Sequence, residues 1–270
     1  LSYFSEKEVW QIEDISTMKK IVDHVFVRSR WVICNKGDSI DPDMRARLVA
    51  CEVNHGQKND AFYASTPPLE SKKLLFSQFA TEQQRMDPDG SWKPLRLSFI
   101  DIKKAYFNAK PTRAVFMRLP PEMGLPKHYV ARQTRCVYGT RDAGMLWEET
   151  YRVVLEQSGF VSGKANPCLF SHPTKAVEVV VHGDDFTALG TDEALDWYTT
   201  VLEAAFQLKI RGRIGVGTEM QEIKILNRIV RLTPEGIRYE ADPRHVDLLG
   251  ASLGLTGCSP VKTPGVKPVD

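Results

Sequence analysis

The chain has 270 residues, 42% hydrophobic and 26% charged, enough for a sizeable core and for more than one subdomain. Its 36 Lys and Arg against 34 Asp and Glu leave a formal net charge of +2, which excludes a global basic field for a polyanion and leaves only local patches. The longest apolar run is far too short to span a bilayer, and neither a signal peptide nor a Gly-x-x-x-x-Gly-Lys-Ser/Thr phosphate loop is present.

In chain order, residues 1–30 mix charged and apolar side chains, with a strand-like stretch over 21–27. Residues 30–35 read as a strand that turns at Lys36-Gly37-Asp38 and returns over 44–51, with basic residues alternating along the return. Thr66 predicts a helix cap with Pro67 at the first helical position, and Leu69, Leu74, Leu75, Phe76 and Phe79 supply the apolar face. Residues 87–90 (Asp-Pro-Asp-Gly) are a turn signal, and 95–101 read as a buried strand. A helix is expected over 142–157, with Ala143, Trp147, Tyr151 and Val154/Leu155 on one stripe and Gly159 just beyond it. Residues 176–190 then form a hairpin, β-branched on entry and turned at a Gly-Asp step. Thr191 opens another helix, with Asp192 and Glu193 in its first turn and Leu195, Tyr198, Leu202 and Phe206 on its apolar face. Asp242-Pro243 opens a last short helix that ends near Gly254. The hairpin points to an antiparallel sheet and an α+β class rather than a doubly wound one.

Two adjacent carboxylates, Asp184 and Asp185, occupy the tip of that hairpin. A turn needs one Asp beside its Gly; two repel each other and concentrate charge, most commonly to hold divalent cations. Successive strand residues point to opposite faces, so one of the pair, Asp184, is expected to make the closer metal contact. Asp101 ends the apolar strand at 95–101, where a carboxylate needs compensation by a metal or by Lys103 or Lys104. If the two strands are neighbours, three carboxylates converge, a set suited to two divalent ions. The five cysteines (Cys34, Cys51, Cys136, Cys168, Cys258) are odd in number and lack a Cys-x-x-Cys pair. They fit free thiols in a reducing compartment better than a disulfide framework. Cys168 and His172 have half a zinc spacing and no partner pair, so ordinary packing is expected there.

Five segments, in order, resemble one family. Residues 97–109 (LSFIDIKKAYFNA), 137–147 (VYGTRDAGMLW), 182–185 (HGDD), 45–50 (RARLVA) and 239–264 are similar to the motifs of copia-type LTR retrotransposon reverse transcriptases. The matches span roughly residues 31–264, and the ordered set is specific where any one of them is not. The resemblance implies a right-hand polymerase fold, with fingers, a small antiparallel palm sheet backed by helices, and a thumb that is partial or absent. Fingers would occupy 1–94; the palm 95–215, with a fingers insertion at about 111–137; and the end of the palm with the start of the thumb or connection 216–270. It implies RNA-directed DNA synthesis with Mg2+, or alternatively Mn2+, on an RNA template and DNA primer. Asp101, Asp184 and Asp185 would hold the metal, with Ile102 beside both metal and nucleotide. Tyr106 would be the steric gate against a 2′-hydroxyl. Arg47, Arg45 and Lys36 would reach the triphosphate; Tyr138 and Gly139, with Arg141 nearby, would pack on the nucleotide or template base; and Lys209 would lie near the leaving pyrophosphate. His182 and Gly183 would seat the primer end. His182 stands where the family has Tyr, Gly144 where it has Pro, and Lys104 where some retroviral relatives have an acid. The chain is expected to be one piece of an intracellular Pol polyprotein, acting in cytoplasm or a virus-like particle, or alternatively in the nucleus, beside a downstream ribonuclease H region. The rival expectations are a catalytically silent nucleic-acid-binding or structural relative and an unrelated metal-dependent phosphotransferase.

Overall fold

The computed structural model describes residues 2–37, 41–53, 62–86 and 90–259. The chain divides into two units, residues 1–213 and residues 214–270. The first begins with α1 (Ser2–Glu6), β1 (Trp10–Asp14), α2 (Ile15–Lys19), β2 (Val25–Asn35) and β3 (Met44–Cys51). α3 (Leu69–Glu82), β4 (Gln84–Met86), β5 (Trp92–Ile102), β6 (Val115–Arg118) and β7 (Tyr129–Gln133) follow. Next come α4 (Ala143–Gln157), β8 (Val161–Ser162), β9 (Leu169–His172), β10 (Val177–His182), β11 (Asp185–Thr191), α5 (Asp192–Ala205) and β12 (Leu208–Ile214).

These strands form two sheets. The first runs β1-β7-β6-β2-β3, antiparallel except for the parallel β2–β6 pair. The second runs β12-β5-β11-β10-β9-β8, with β4 also paired to β5. Period-two alternation gives this second sheet two different faces. Ile100, Ile102, Val177, Val179, Val181, Phe186 and Ala188 join Trp147, Tyr151 and Leu155 of α4 and Leu195, Tyr198 and Leu202 of α5 in one core. α3 packs against β5, β10 and β11, burying Leu75, Phe76 and Phe79. Thr191 caps α5 by accepting from the Ala194 amide at 3.4 Å. No helix among the described residues is long and apolar enough to cross a membrane.

Three expected elements shift. The strand expected over 21–27 begins at Val25 and runs on to Asn35, so it and the strand expected at 30–35 are one. The third helix starts at Leu69, capped by Pro68 without a side-chain hydrogen bond, not at Thr66. The reason is the second proline: a residue that precedes proline is driven extended, which keeps Pro67 out of the helix. The buried face also differs from the one expected: Lys72 shares it with Leu75, Phe76 and Phe79, while Leu74 is out of phase with them and is 66% exposed. Most of the turn expected at 87–90 lies outside the described residues.

In the second unit, β13 (Glu222–Ile225), β14 (Arg228–Thr233) and β15 (Gly236–Ala241) form an antiparallel meander, followed by α6 (Pro243–Ser252). Asp242 caps α6 through the Arg244 amide and is paired with Lys224 and Arg244.

Candidate active site

The three acids lie on neighbouring strands. Asp185, the first residue of β11, stands directly opposite Asp101 near the end of β5. Residues opposed in this way present side chains to the same face. His182, which ends β10, is the partner of Asp185 on the other side. Gly183 and Asp184 make the two-residue turn between them, with Gly183 at φ +65°, a conformation that favours glycine. Two bonds hold that turn. The Trp147 indole N–H donates to the Gly183 carbonyl at 2.9 Å, and the Ile102 amide donates to the Asp184 carbonyl at 2.8 Å.

Burial and mutual repulsion raise all three carboxyl pKa values. Asp101 is raised by burial and then by the Asp184 charge, against the pull of Arg211, Lys209 and Arg45. Asp184 is raised by burial and by Asp185, against Arg47 and His182. Asp185 is raised by burial and by Asp101, while Lys72 and Arg211 attract it. The Arg211 guanidinium lies 3.5 Å from the Asp185 carboxylate. Burial, then the Lys72 charge, pushes the His182 ring below its ordinary value.

Asp101 and Asp184 border a cleft of about 540 Å3. Arg45, Arg47, Lys103, Lys104 and Lys209 line it, as do Trp31, Phe107 and Tyr138. Tyr106 packs against Tyr138 with ring centroids 4.6 Å apart and planes tilted by 44°, and the Arg47 guanidinium lies 5.9 Å from the Tyr138 ring centre. The Asp184 charge reaches both phenols, which burial already raises. Lys36 is exposed near the far end of the β2–β3 hairpin and does not line the cleft. Arg141 lies over Phe62 instead.

Gly139 serves the backbone. Its φ is +91°, and a Cβ there would fall 2.0 Å from the Ala50 carbonyl oxygen. That close approach lets residues 138–139 extend the edge of β3: the Ala50 amide donates to the Tyr138 carbonyl at 2.7 Å and the Glu52 amide to the Gly139 carbonyl at 3.3 Å. Arg113 fastens the same joint, donating to Asp142 at 2.7 Å and to Glu52 at 2.8 and 3.1 Å. Gly144 allows similar closeness, since a Cβ there would lie 3.1 Å from the Ala64 Cβ.

Sequence reasoning missed four neighbours of the acids. Tyr3 and Phe4 of α1 border the cleft, and the Tyr3 hydroxyl donates to Gln207 at 3.2 Å. Lys72 and Arg211 flank Asp185. Arg211 had a signal, because it is two residues from Lys209 on one strand.

The convergence expected of the three carboxylates takes the form of a row rather than a cage. Among the described residues, no three Asp, Glu, His or Cys side chains are grouped to hold one ion. Asp185 leans on Arg211 while Asp101 and Asp184 face the cleft. One or two carboxylates beside a phosphate-sized basic cleft fit magnesium, which takes much of its octahedral shell from substrate phosphates and water. Cys168 and His172 pack as ordinary interior residues; the His172 ring bonds the Ser158 carbonyl at 3.0 Å.

Residues 7–266 match the family model for reverse transcriptase (RNA-dependent DNA polymerase). The chain belongs to the reverse transcriptase family. Among solved structures it is similar to telomerase from Candida albicans in complex with a TWJ fragment of telomeric RNA, at 8% identity and TM-score 0.52. That match covers 89% of this chain and 49% of the telomerase chain, so the chain spans about half of its length. It also aligns with a foamy viral protease–reverse transcriptase in complex with double-stranded DNA, at 10% identity and TM-score 0.44, covering 93% of this chain and 38% of that one. The telomerase likeness shows the fold: this reverse transcriptase chain has the fingers and palm of a right-hand polymerase. The acids sit on the palm sheet, and β3 supplies the basic wall.

Proposed function

We propose that this chain is the fingers and palm of a copia-type retrotransposon reverse transcriptase, carried in a Pol polyprotein, that extends a DNA primer on an RNA template. The observation that carries the reading is the Asp101–Asp185 cross-strand pair, with Asp184 at the adjacent turn, at the mouth of a cleft walled by Arg45, Arg47 and Lys209. Asp101, Asp184 and Asp185, with the Ile102 backbone beside them, would hold Mg2+, or Mn2+ in its place. Two such ions, their shells completed by substrate phosphates and water, would supply activation of the primer 3′-hydroxyl and stabilisation of charge on the leaving phosphate oxygen. Arg45, Arg47 and Lys209 neutralise the triphosphate, the guanidinium groups by matching phosphate oxygens and the lysine as a point charge. Lys36, at the hairpin end, would join them only when the hairpin folds over the cleft. Tyr106, braced by Tyr138, closes the space beneath the sugar and selects deoxynucleotides. His182 and Gly183 seat the primer end, with an imidazole in place of the usual phenol. The grip on template and primer is mostly through phosphates and sugars, since a polymerase must accept every sequence. The setting is intracellular, in cytoplasm or a virus-like particle, with ribonuclease H activity supplied downstream.

Primer extension on a primed RNA template with dNTPs and Mg2+ tests this. The wild-type chain is expected to extend, and Asp185→Asn to lose more than about a hundredfold of that rate. Tight template–primer binding by the wild type, with no extension in Mg2+ or Mn2+, would replace the reading with a silent nucleic-acid-binding domain.

A further inference from the structure

The cleft has one wall that the polymerase reading does not use. Helix α1 brings Tyr3 and Phe4 to its edge, beside Lys103 and Lys104, which follow the end of β5. A helix of five residues does not hold itself together in isolation. Aromatic contacts anchor it: Phe4 is buried against Trp10 and Phe107 at ring separations of 4.5 and 5.0 Å, and Tyr3 stacks on Phe107 at 5.9 Å. Phe107 in turn meets Tyr138 of the cleft edge-on at 5.8 Å.

The Lys104 ammonium lies over the face of the Tyr3 ring, 2.8 Å from its centre, where the ring quadrupole attracts a cation. Gln207 fixes both partners. Its carbonyl accepts from the Lys103 amide at 2.9 Å, and its side chain accepts from the Tyr3 hydroxyl at 3.2 Å. Lys104 has a left-handed backbone, φ +52°, which glycine or asparagine adopts at lower cost. The side chain is exposed, and one exposed cation–π contact does not outweigh the strain of a left-handed lysine. Among the described residues no carboxylate pairs with Lys104, although Asp101 is three positions before it. The aromatic face holds the charge on the cleft wall without neutralising it, and its N–H groups remain open to an anion.

A nucleotide whose α-phosphate sits at Asp101 and Asp184 carries two further phosphates into the cleft. We propose that Lys104 is an additional binding residue for that triphosphate and that Tyr3 positions it, the phenol ring holding the ammonium at the cleft wall. This rests on the polymerase reading above. It gives the amino-terminal helix a part in nucleotide binding.

Isothermal titration calorimetry with inorganic triphosphate, at low salt and without metal, reads the anion site; primer extension reads KM for dNTP. Lys104→Met is expected to weaken triphosphate binding roughly tenfold, about the size of one charge-assisted hydrogen bond, and Lys104→Arg to keep most of it. Tyr3→Leu should lose about as much, and Tyr3→Phe, which keeps the ring, less than about twofold. The double variant Tyr3→Leu/Lys104→Met should bind no more weakly than Lys104→Met alone, because Tyr3 acts through Lys104. In extension, KM for dNTP should rise by about the same factors, with template–primer affinity changed less than about twofold. Lys7→Met controls for net charge: Lys7 lies 5.9 Å from the same ring centre but does not line the cleft, and its loss should matter less than about twofold. Additive losses in the double variant overturn the proposal, as does triphosphate binding unchanged in Lys104→Met, or as weak in Lys7→Met as in Lys104→Met. Lys104 is exposed, so its variants keep the test decisive if Tyr3→Leu fails to fold. A wild type that does not bind triphosphate also overturns it. A wild type that binds triphosphate but never extends a primer sinks the polymerase reading instead, and leaves Lys104 to be judged on the calorimetry.

Discussion

An acid whose folded-state pKa is raised is ionised at neutral pH at a cost to the fold, and Asp101 is such a group. Its folded value lies above the unfolded value of about 3.9, so between the two the folded chain binds more protons. Stability from this group is therefore lost as pH rises through that window. Asp101→Asn should raise the melting temperature of the metal-free protein at pH near 7.5, and the difference should shrink as pH falls and vanish toward about pH 2.5, where the carboxyl is neutral in both states. Differential scanning calorimetry at the two pH values checks this; a variant that melts lower at neutral pH removes the argument. The acids were legible in the sequence because a carboxylate at the end of an apolar strand stands out. Lys72 was not, because the apolar pattern of its helix was read from Leu and Phe alone, and a lysine in phase with them passes as solvent-facing. For Arg211 the strand spacing from Lys209 was a signal, but its partner was not legible, because its long side chain reaches across β5 to a carboxylate on β11.

The element that fixes the acids is the β10–β11 hairpin, and α4 holds its tip through one hydrogen bond from Trp147. Trp147→Phe keeps an aromatic ring in the core but leaves the buried end of that bond unmade. It should cost about 1–3 kcal/mol in chemical denaturation and speed hydrogen exchange at the turn amides of residues 183–185 more than elsewhere on β11. Equal exchange across the hairpin would show that the bond does not hold the turn. This hairpin, β3, α4 and α5 could all be read from the sequence: the hairpin from its β-branched run and Gly-Asp turn, β3 from its alternating basic residues, and the helices from their 3.6-residue apolar stripes. β1, β6 and β7 could not. Each is four or five residues long, and their partners, like the parallel β2–β6 pairing, are distant in sequence, so no local pattern specifies them. The three strands of the second unit pair locally through two-residue turns and escaped notice for another reason, since they are only four to six residues long and lack a strong apolar run.

Across the whole molecule the charge nearly cancels, yet Arg45, Arg47, Lys103, Lys104 and Lys209 gather on one cleft. Template–primer affinity should therefore fall steeply with salt, and Arg47→Ala should reduce the slope of log K against log salt by about one if that guanidinium meets a phosphate. An unchanged slope in equilibrium titrations would place Arg47 away from the template–primer and leave it to the triphosphate alone. The joint at Gly139 bears on how such a cleft can close. The root of β3 is stitched to Tyr138 and Gly139 by backbone bonds, and Arg113 ties Glu52 to the first turn of α4. The aromatic floor and the near half of the basic wall are thus a single fixed jaw. Under the proposed reading, a triphosphate would therefore be gripped by bending, beyond Leu48, the distal part of the hairpin that carries Arg45, rather than by lifting the hairpin off its base.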